Sequence, residues 1–168
     1  MTELSRQEGL SEDYLEKVLE SPSGIGYAIS YSRSFAMIQN IDTAPQLLAK
    51  QHNIIKMLAR KGDCVIVGRG ADAILKEYTP FRIFVHADMQ SRIQRCVSRG
   101  TKDEDLSEKA LQKKIKKIDK ARAENYEFVS ELPWGDKRAY DLTINTTDLE
   151  IKGIVPAVAS YIRAWLDR

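Results

Sequence analysis

Apolar and polar positions along this chain follow two periods, and the changes of period mark its elements. Cys64-Val65-Ile66-Val67 is an apolar run rich in β-branched side chains, closed by Gly68-Arg69-Gly70 and followed by a short helical pattern from Ala71 to Glu77. Such a run predicts a buried strand that turns straight into a helix. Upstream, Thr43-Ala44-Pro45 opens a long helix whose Leu47, Leu48, Ile54, Ile55, Leu58 and Ala59 keep one apolar face until Lys61-Gly62 ends it. Downstream, Arg82 to Ala87 reads as a second strand, Asp88 as the cap of a helix from Met89 to Ser98, and Tyr140 to Asn145 as a third strand. Strands that alternate with helices predict an α/β fold built on a parallel sheet.

The rest of the pattern is helix and connection. Ser11 ahead of Glu12 and Asp13 predicts a helix start within residues 1–20, 21–26 is loop-like, and 27–40 stays open between strand and irregular structure. A polar, acidic connection covers 100–106. Ser107 then starts a helix that runs to about Glu131, with Leu111, Ile115, Ile118 and Ala121 as its inward stripe and Lys113, Lys114, Lys116, Lys117 and Lys120 mainly away from it. Pro133 to Asp136 forms a turn. A terminal helix from Asp148 to Asp167 packs Ile151, Ile154, Val155, Val158, Tyr161, Ile162 and Trp165, and Pro156 predicts a kink or break near its first turns.

Composition narrows the class. The 168 residues suit one domain over 1–168, since a domain takes roughly 100–200 residues. With 43% hydrophobic and 30% charged residues there is no case for disorder. A net charge of +2 implies neither a nucleic acid nor a membrane surface as partner, and the lysines of 109–120 lack interleaved aromatics. Cys64 and Cys96 have no metal-ligand spacing and only two histidines beside them, so no metal site is expected and both read as core thiols. No apolar run reaches the ~18 residues of a membrane span and Met1-Thr2-Glu3-Leu4 does not open a signal peptide, so a cytoplasmic protein is expected.

Three groups of residues could carry chemistry. Arg69 sits at the carboxyl end of a predicted strand, where ligands of open α/β sheets collect, and its flanking glycines let a phosphate or carboxylate approach the guanidinium fork. The same glycines could equally make a tight turn with Arg69 in water. Arg92, Arg95 and Arg99 stand at i, i+3 and i+7 on one helix face, either as a solvated face or as a row awaiting an anion. Asp119, Arg122 and Tyr126 share the same spacing close beside an apolar stripe, where an ion pair facing inward needs a ligand or a structural network to offset its desolvation. His86 reads as a strand-end residue rather than a metal ligand.

Taken together, residues 64–75, Phe84 to Arg99 with its spaced arginines, Ile118-Asp119-Lys120-Ala121-Arg122, Trp134-Gly135-Asp136 and Tyr140 to Asn145 resemble the cytidylate-kinase-like family of P-loop nucleoside monophosphate kinases, in order and over roughly residues 3–165. The resemblance implies a three-layer parallel sheet and transfer of the ATP γ-phosphate to CMP with Mg²⁺. It implies that Arg69 binds the acceptor phosphate, and that Arg92, Arg95 and Arg99 stabilise the transferring group beside a lid near 99–107. Asp119 and Arg122 would hold nucleoside and phosphate. Phosphoryl transfer fits such a set because it needs positioning and charge neutralisation more than covalent chemistry. One departure stands out: the phosphate-cradling Gly-rich loop with its Lys is missing, because Ser21 to Gly26 has no Lys after it. The expectation is therefore an N-terminally incomplete kinase-like domain without the first strand and P-loop, with little or no transferase activity of its own. The alternative is a non-catalytic nucleotide-binding or regulatory module.

Overall fold

The computed structural model describes residues 44–99 and 106–168, and within them the elements are α1 (Ala44–Arg60), α2 (Ala71–Ile74), a 3-10 turn (Lys76–Tyr78), β1 (Ile83–His86), α3 (Met89–Ser98), α4 (Glu108–Glu127), a second 3-10 turn (Lys137–Ala139), β2 (Leu142–Asn145) and α5 (Ile151–Leu166). This is an α/β architecture with a small parallel sheet and five α-helices. The expectations for 1–42, including the early helix, lie outside the described residues, as does most of the lid expected near 99–107. The described residues fall into two compact units, 44–80 with 118–134, and 81–99 and 106–117 with 135–168, so α4 contributes to both.

In the first unit, the apolar face of α1 brings Ile55 onto Ala71 and Leu75 of the α2 region, with Ala59, Ile66 and Ile74 packed around them. Lys56 pairs with Glu77 at 3.2 Å, and Arg60 Nε donates to the Tyr78 hydroxyl at 2.7 Å, which ties the end of α1 to the 3-10 turn. The stretch 64–67 does not form the buried strand its composition suggests. Val65 is 94% exposed, Val67 85% exposed, and of the four residues Ile66 alone reaches the core. A strand keeps its backbone donors and acceptors satisfied only beside another strand. The sheet among the described residues is β1 with β2, which leaves 64–67 without a ladder. Cys64, expected as a core thiol, is accordingly exposed, while Cys96 is half-buried.

The second unit is organised by β1 and β2, parallel and in register from Ile83 opposite Leu142 to His86 opposite Asn145. Parallel neighbours require a long crossover, and α3 with α4 supplies it. Both ends of the pair are fixed by polar groups. At the start, Arg82 grips Asp141 with its backbone N–H at 2.8 Å and with Nε and Nη2 at 3.0 Å each. That fork holds the Asp141 carboxyl below the usual carboxylate range. Phe84 packs on Tyr140 with ring centroids 4.9 Å apart, and Gly135, at φ 86, lies so close that a Cβ there would stand 3.2 Å from the Phe84 ring.

Helices came closer to expectation than strands. Asp88 caps α3 as the sequence suggests, its carboxylate accepting from Ser91 N–H at 2.7 Å, and this backbone donation lowers the Asp88 pKa. Ile93, Leu111 and Ile115 form the core between α3 and the first half of α4, with Met89 and Cys96 against them. Helix α4 stops at Glu127, four residues before the expected end. Helix α5 is continuous through Pro156, so of the kink or break expected there the break does not occur. The proline sits in the second turn of the helix, and Lys152, whose carbonyl it cannot bond, is itself an exposed residue. None of the residues of α5 is fully buried, although Phe81 rests on Tyr161 and Trp165.

Candidate functional site

The turn that carries Arg69 has an unusual backbone. Gly68, Arg69 and Gly70 all adopt left-handed conformations, with φ of 70°, 63° and 61°. Two of these are glycines, for which the region costs little; Arg69 is not, and holding a side chain there costs on the order of 1 kcal/mol. Strain of this kind persists where the surroundings over-determine the backbone. Here they do: Ala71 N–H closes the turn on Gly68 O at 3.2 Å, and a Cβ on Gly70 would come within 2.5 Å of Val129 Cγ2. The Arg69 side chain is exposed.

Asp119 and Arg122 lie one turn apart on α4, with Arg122 Nη1 3.9 Å from Asp119 Oδ1. That separation is at the outer limit of an ion pair. The expected inward-facing pair is only half realised, because the Asp119 side chain is 24% exposed while that of Arg122 is 63% exposed. A guanidinium this open keeps its water and avoids the desolvation cost. The third residue of the same spacing behaves differently. Tyr126 is 6% exposed, and its hydroxyl donates to Asp72 Oδ2 at 2.8 Å. Asp72 stands three residues after Arg69, in the first turn of α2. The Tyr126–Asp72 bond and the Gly70–Val129 contact therefore lock the arginine-bearing turn to the segment that presents Asp119 and Arg122. Sequence reading missed Asp72 and Val129 as partners; the signal within reach was the placement of Tyr126 at i+7 from Asp119, which marks a shared face without naming what meets it.

The three arginines of α3 belong to the second unit and differ from one another. Arg92 is half-buried, and Arg99 is exposed at the C-cap position. Arg95 is engaged: Nη1 donates to Thr146 Oγ1 at 3.1 Å, and Nη2 donates to Leu149 O at 3.2 Å and to Thr146 O. Arg95 also borders a cleft of about 430 Å³ lined by Ser91, Gln94, Ser98, Asp148, Leu149 and Glu150. The cleft lies beside the loop that leaves the carboxyl end of β2, the side of a parallel sheet where ligands collect. His86 is exposed at the end of β1, stacked at 6.2 Å on Phe84. Among the described residues, no group of three or more His, Cys, Asp or Glu could hold a metal ion, and no helix is long and apolar enough to cross a membrane.

A family model described as the cytidylate kinase-like family matches residues 1–148. No curated protein matches the chain. Among solved structures, the chain is similar to an uncharacterized protein from Eubacterium ventriosum ATCC 27560, at 26% identity and a TM-score of 0.63, over 97% of this chain and 89% of that one.

Proposed function

Because the chain belongs to the cytidylate kinase-like family, we propose that it is a nucleotide-binding protein of the phosphotransferase type that takes CMP through Arg69, Asp119 and Arg122, within a larger three-layer sheet of the P-loop kinase kind. The reading rests most heavily on the Arg69 turn, strained, glycine-flanked and pinned by Tyr126–Asp72 to the segment that bears Asp119 and Arg122. An exposed guanidinium on a rigid turn is pre-organised for a phosphate, which it can take bidentately. Arg122, barely held by Asp119, is able to turn to the same anion, and Asp119 can accept an N–H from a base or a hydroxyl from a sugar. Arg92 and Arg99 of α3 belong to the second unit and are separate candidates for meeting an anion there.

Mg·ATP, the family's donor, is not matched by these residues. The sequence has no Gly-rich turn followed by Lys and Ser or Thr, and no carboxylate cluster suited to a metal stands among the described residues. Acceptor binding without donor binding is therefore the behaviour proposed for this chain, whether it serves as part of a kinase or as a nucleotide-responsive module. Calorimetric titration with CMP, UMP, AMP and Mg·ATP tests it. CMP should bind, and Arg69→Ala should weaken it roughly tenfold or more, the worth of a charge-assisted hydrogen bond. A folded chain that binds no nucleotide, or an Arg69→Ala variant that binds CMP unchanged, would refute the proposal.

A further inference from the structure

The loop that follows β2 is fastened to α3 or to its Asp88 cap at every residue from Thr146 to Leu149. Thr146, 1% exposed, donates its backbone N–H to His86 O at 2.8 Å and its hydroxyl to the same carbonyl at 3.0 Å. Thr147 Oγ1 accepts from Asp88 N–H at 2.9 Å, and the Thr147 N–H donates to Asn145 Oδ1 at 3.0 Å. Asp148, held at φ 56°, donates its N–H to Ser91 Oγ at 3.3 Å. Leu149 N–H turns back to Thr146 O at 3.2 Å. Arg95 closes the set: its fork takes the Thr146 hydroxyl and both the Thr146 and Leu149 carbonyls.

We infer that Arg95 is a positioning residue that clamps the 146–149 loop and thereby sets the rim of the adjoining cleft, rather than a direct contact to phosphate. Three of its five N–H donors point at uncharged acceptors of one loop, two of them on a residue with almost no access to water. Diverting the guanidinium to a phosphoryl group would leave the Thr146 hydroxyl and carbonyl buried with fewer partners, which is costly. The cleft argues in the same direction, since Asp148 and Glu150 line it and their carboxylates repel an anion. The fork covers these acceptors with two nitrogens, Nη2 on both carbonyls and Nη1 on the hydroxyl; a lysine brings a single nitrogen on a differently shaped stem and does not reproduce that fixed geometry. On the nucleotide reading proposed above, the three spaced arginines of α3 then divide, with Arg95 holding the loop rather than meeting phosphate.

The test compares the whole chain with Arg95→Lys, Arg95→Met, Thr146→Val, Thr146→Ser and the Arg95→Met/Thr146→Val double variant. Amide hydrogen exchange at residues 146–149 is read without ligand, beside calorimetric titration with CMP and Mg·ATP. Loop protection should fall about tenfold or more in Arg95→Met, Arg95→Lys and Thr146→Val, stay within about threefold in Thr146→Ser, and fall no further in the double variant than in either single one. Unfolding midpoints are measured alongside, so that local loosening is separated from global loss. For any nucleotide that wild type binds at this unit, Arg95→Lys should weaken binding as much as Arg95→Met does. Wild-type protection in Arg95→Met overturns the clamp, and so does a Lys variant that keeps both loop protection and nucleotide affinity, since Lys still serves as a phosphate ligand. A wild-type chain that binds no nucleotide removes the nucleotide reading, while the exchange comparison still decides the clamp.

Discussion

Replacing Tyr126 by Phe deletes one oxygen and leaves the ring where it is, which makes it a direct probe of the link beneath the candidate site. The lost bond is a 2.8 Å donation from a residue 6% exposed to the half-buried carboxylate of Asp72. Hydrogen bonds to charged groups contribute roughly 1.5–3 kcal/mol, and a carboxylate that regains water recovers part of this, so a loss of about 1–2 kcal/mol is expected. For a chain of this size each kcal/mol lowers the midpoint by roughly 2–4 °C, which puts Tyr126→Phe about 2–8 °C below wild type. Tyr126→Ala should cost about 3–5 kcal/mol, since it adds a cavity to the lost bond. Urea unfolding of Tyr126→Phe, Asp72→Ala and the double variant gives the coupling energy, expected near 1–2 kcal/mol. CMP affinity should fall in Tyr126→Phe, although Tyr126 is proposed to touch no ligand, because the Arg69 turn loses its tether. A coupling below about 0.3 kcal/mol would refute the link, and unchanged CMP affinity in a clearly destabilised Tyr126→Phe would refute its bearing on the site.

Three further substitutions test other parts of the account. Val67→Lys and Val65→Lys should change stability by no more than about 0.5 kcal/mol, because both side chains stand in water; a loss of several kcal/mol in denaturant titration would mean that 64–67 is buried after all. Gly70→Ala should cost about 2–4 kcal/mol against about 1 kcal/mol for Gly68→Ala, since both add a Cβ at positive φ but only Gly70 faces Val129 at 2.5 Å; equal losses would remove the packing argument. Asp141→Asn should flatten the acid limb of the stability curve. Its carboxyl pKa is lowered in the folded state by Arg82, so the stability it contributes is present above the ordinary carboxylate pKa of about 4 and is lost as pH falls through the lower folded value. A thermal midpoint that depends on pH below about 4 as steeply in Asp141→Asn as in wild type would contradict this.

What could be read from the residues alone follows from where each element finds its hydrogen bonds. A helix satisfies its backbone within itself and leaves a stripe to bury, so α1, α3 with its Asp88 cap and the Leu111–Ile115 face of α4 were legible from spacing. The family was legible too, because its motifs are local strings in a fixed order. A strand is a different object, since its partner lies elsewhere in the chain. The sequence of 64–67 is more β-branched and apolar than that of 83–86, yet tertiary structure gave the second a register with 142–145 and left the first exposed. Side-chain partners are non-local in the same sense. Spacing put Arg92, Arg95 and Arg99 on one face, but only the folded chain turned Arg95 onto Thr146 and Leu149. Spacing likewise marked Tyr126, and only the fold set it against Asp72, because the identity of a polar partner is decided by which segments meet.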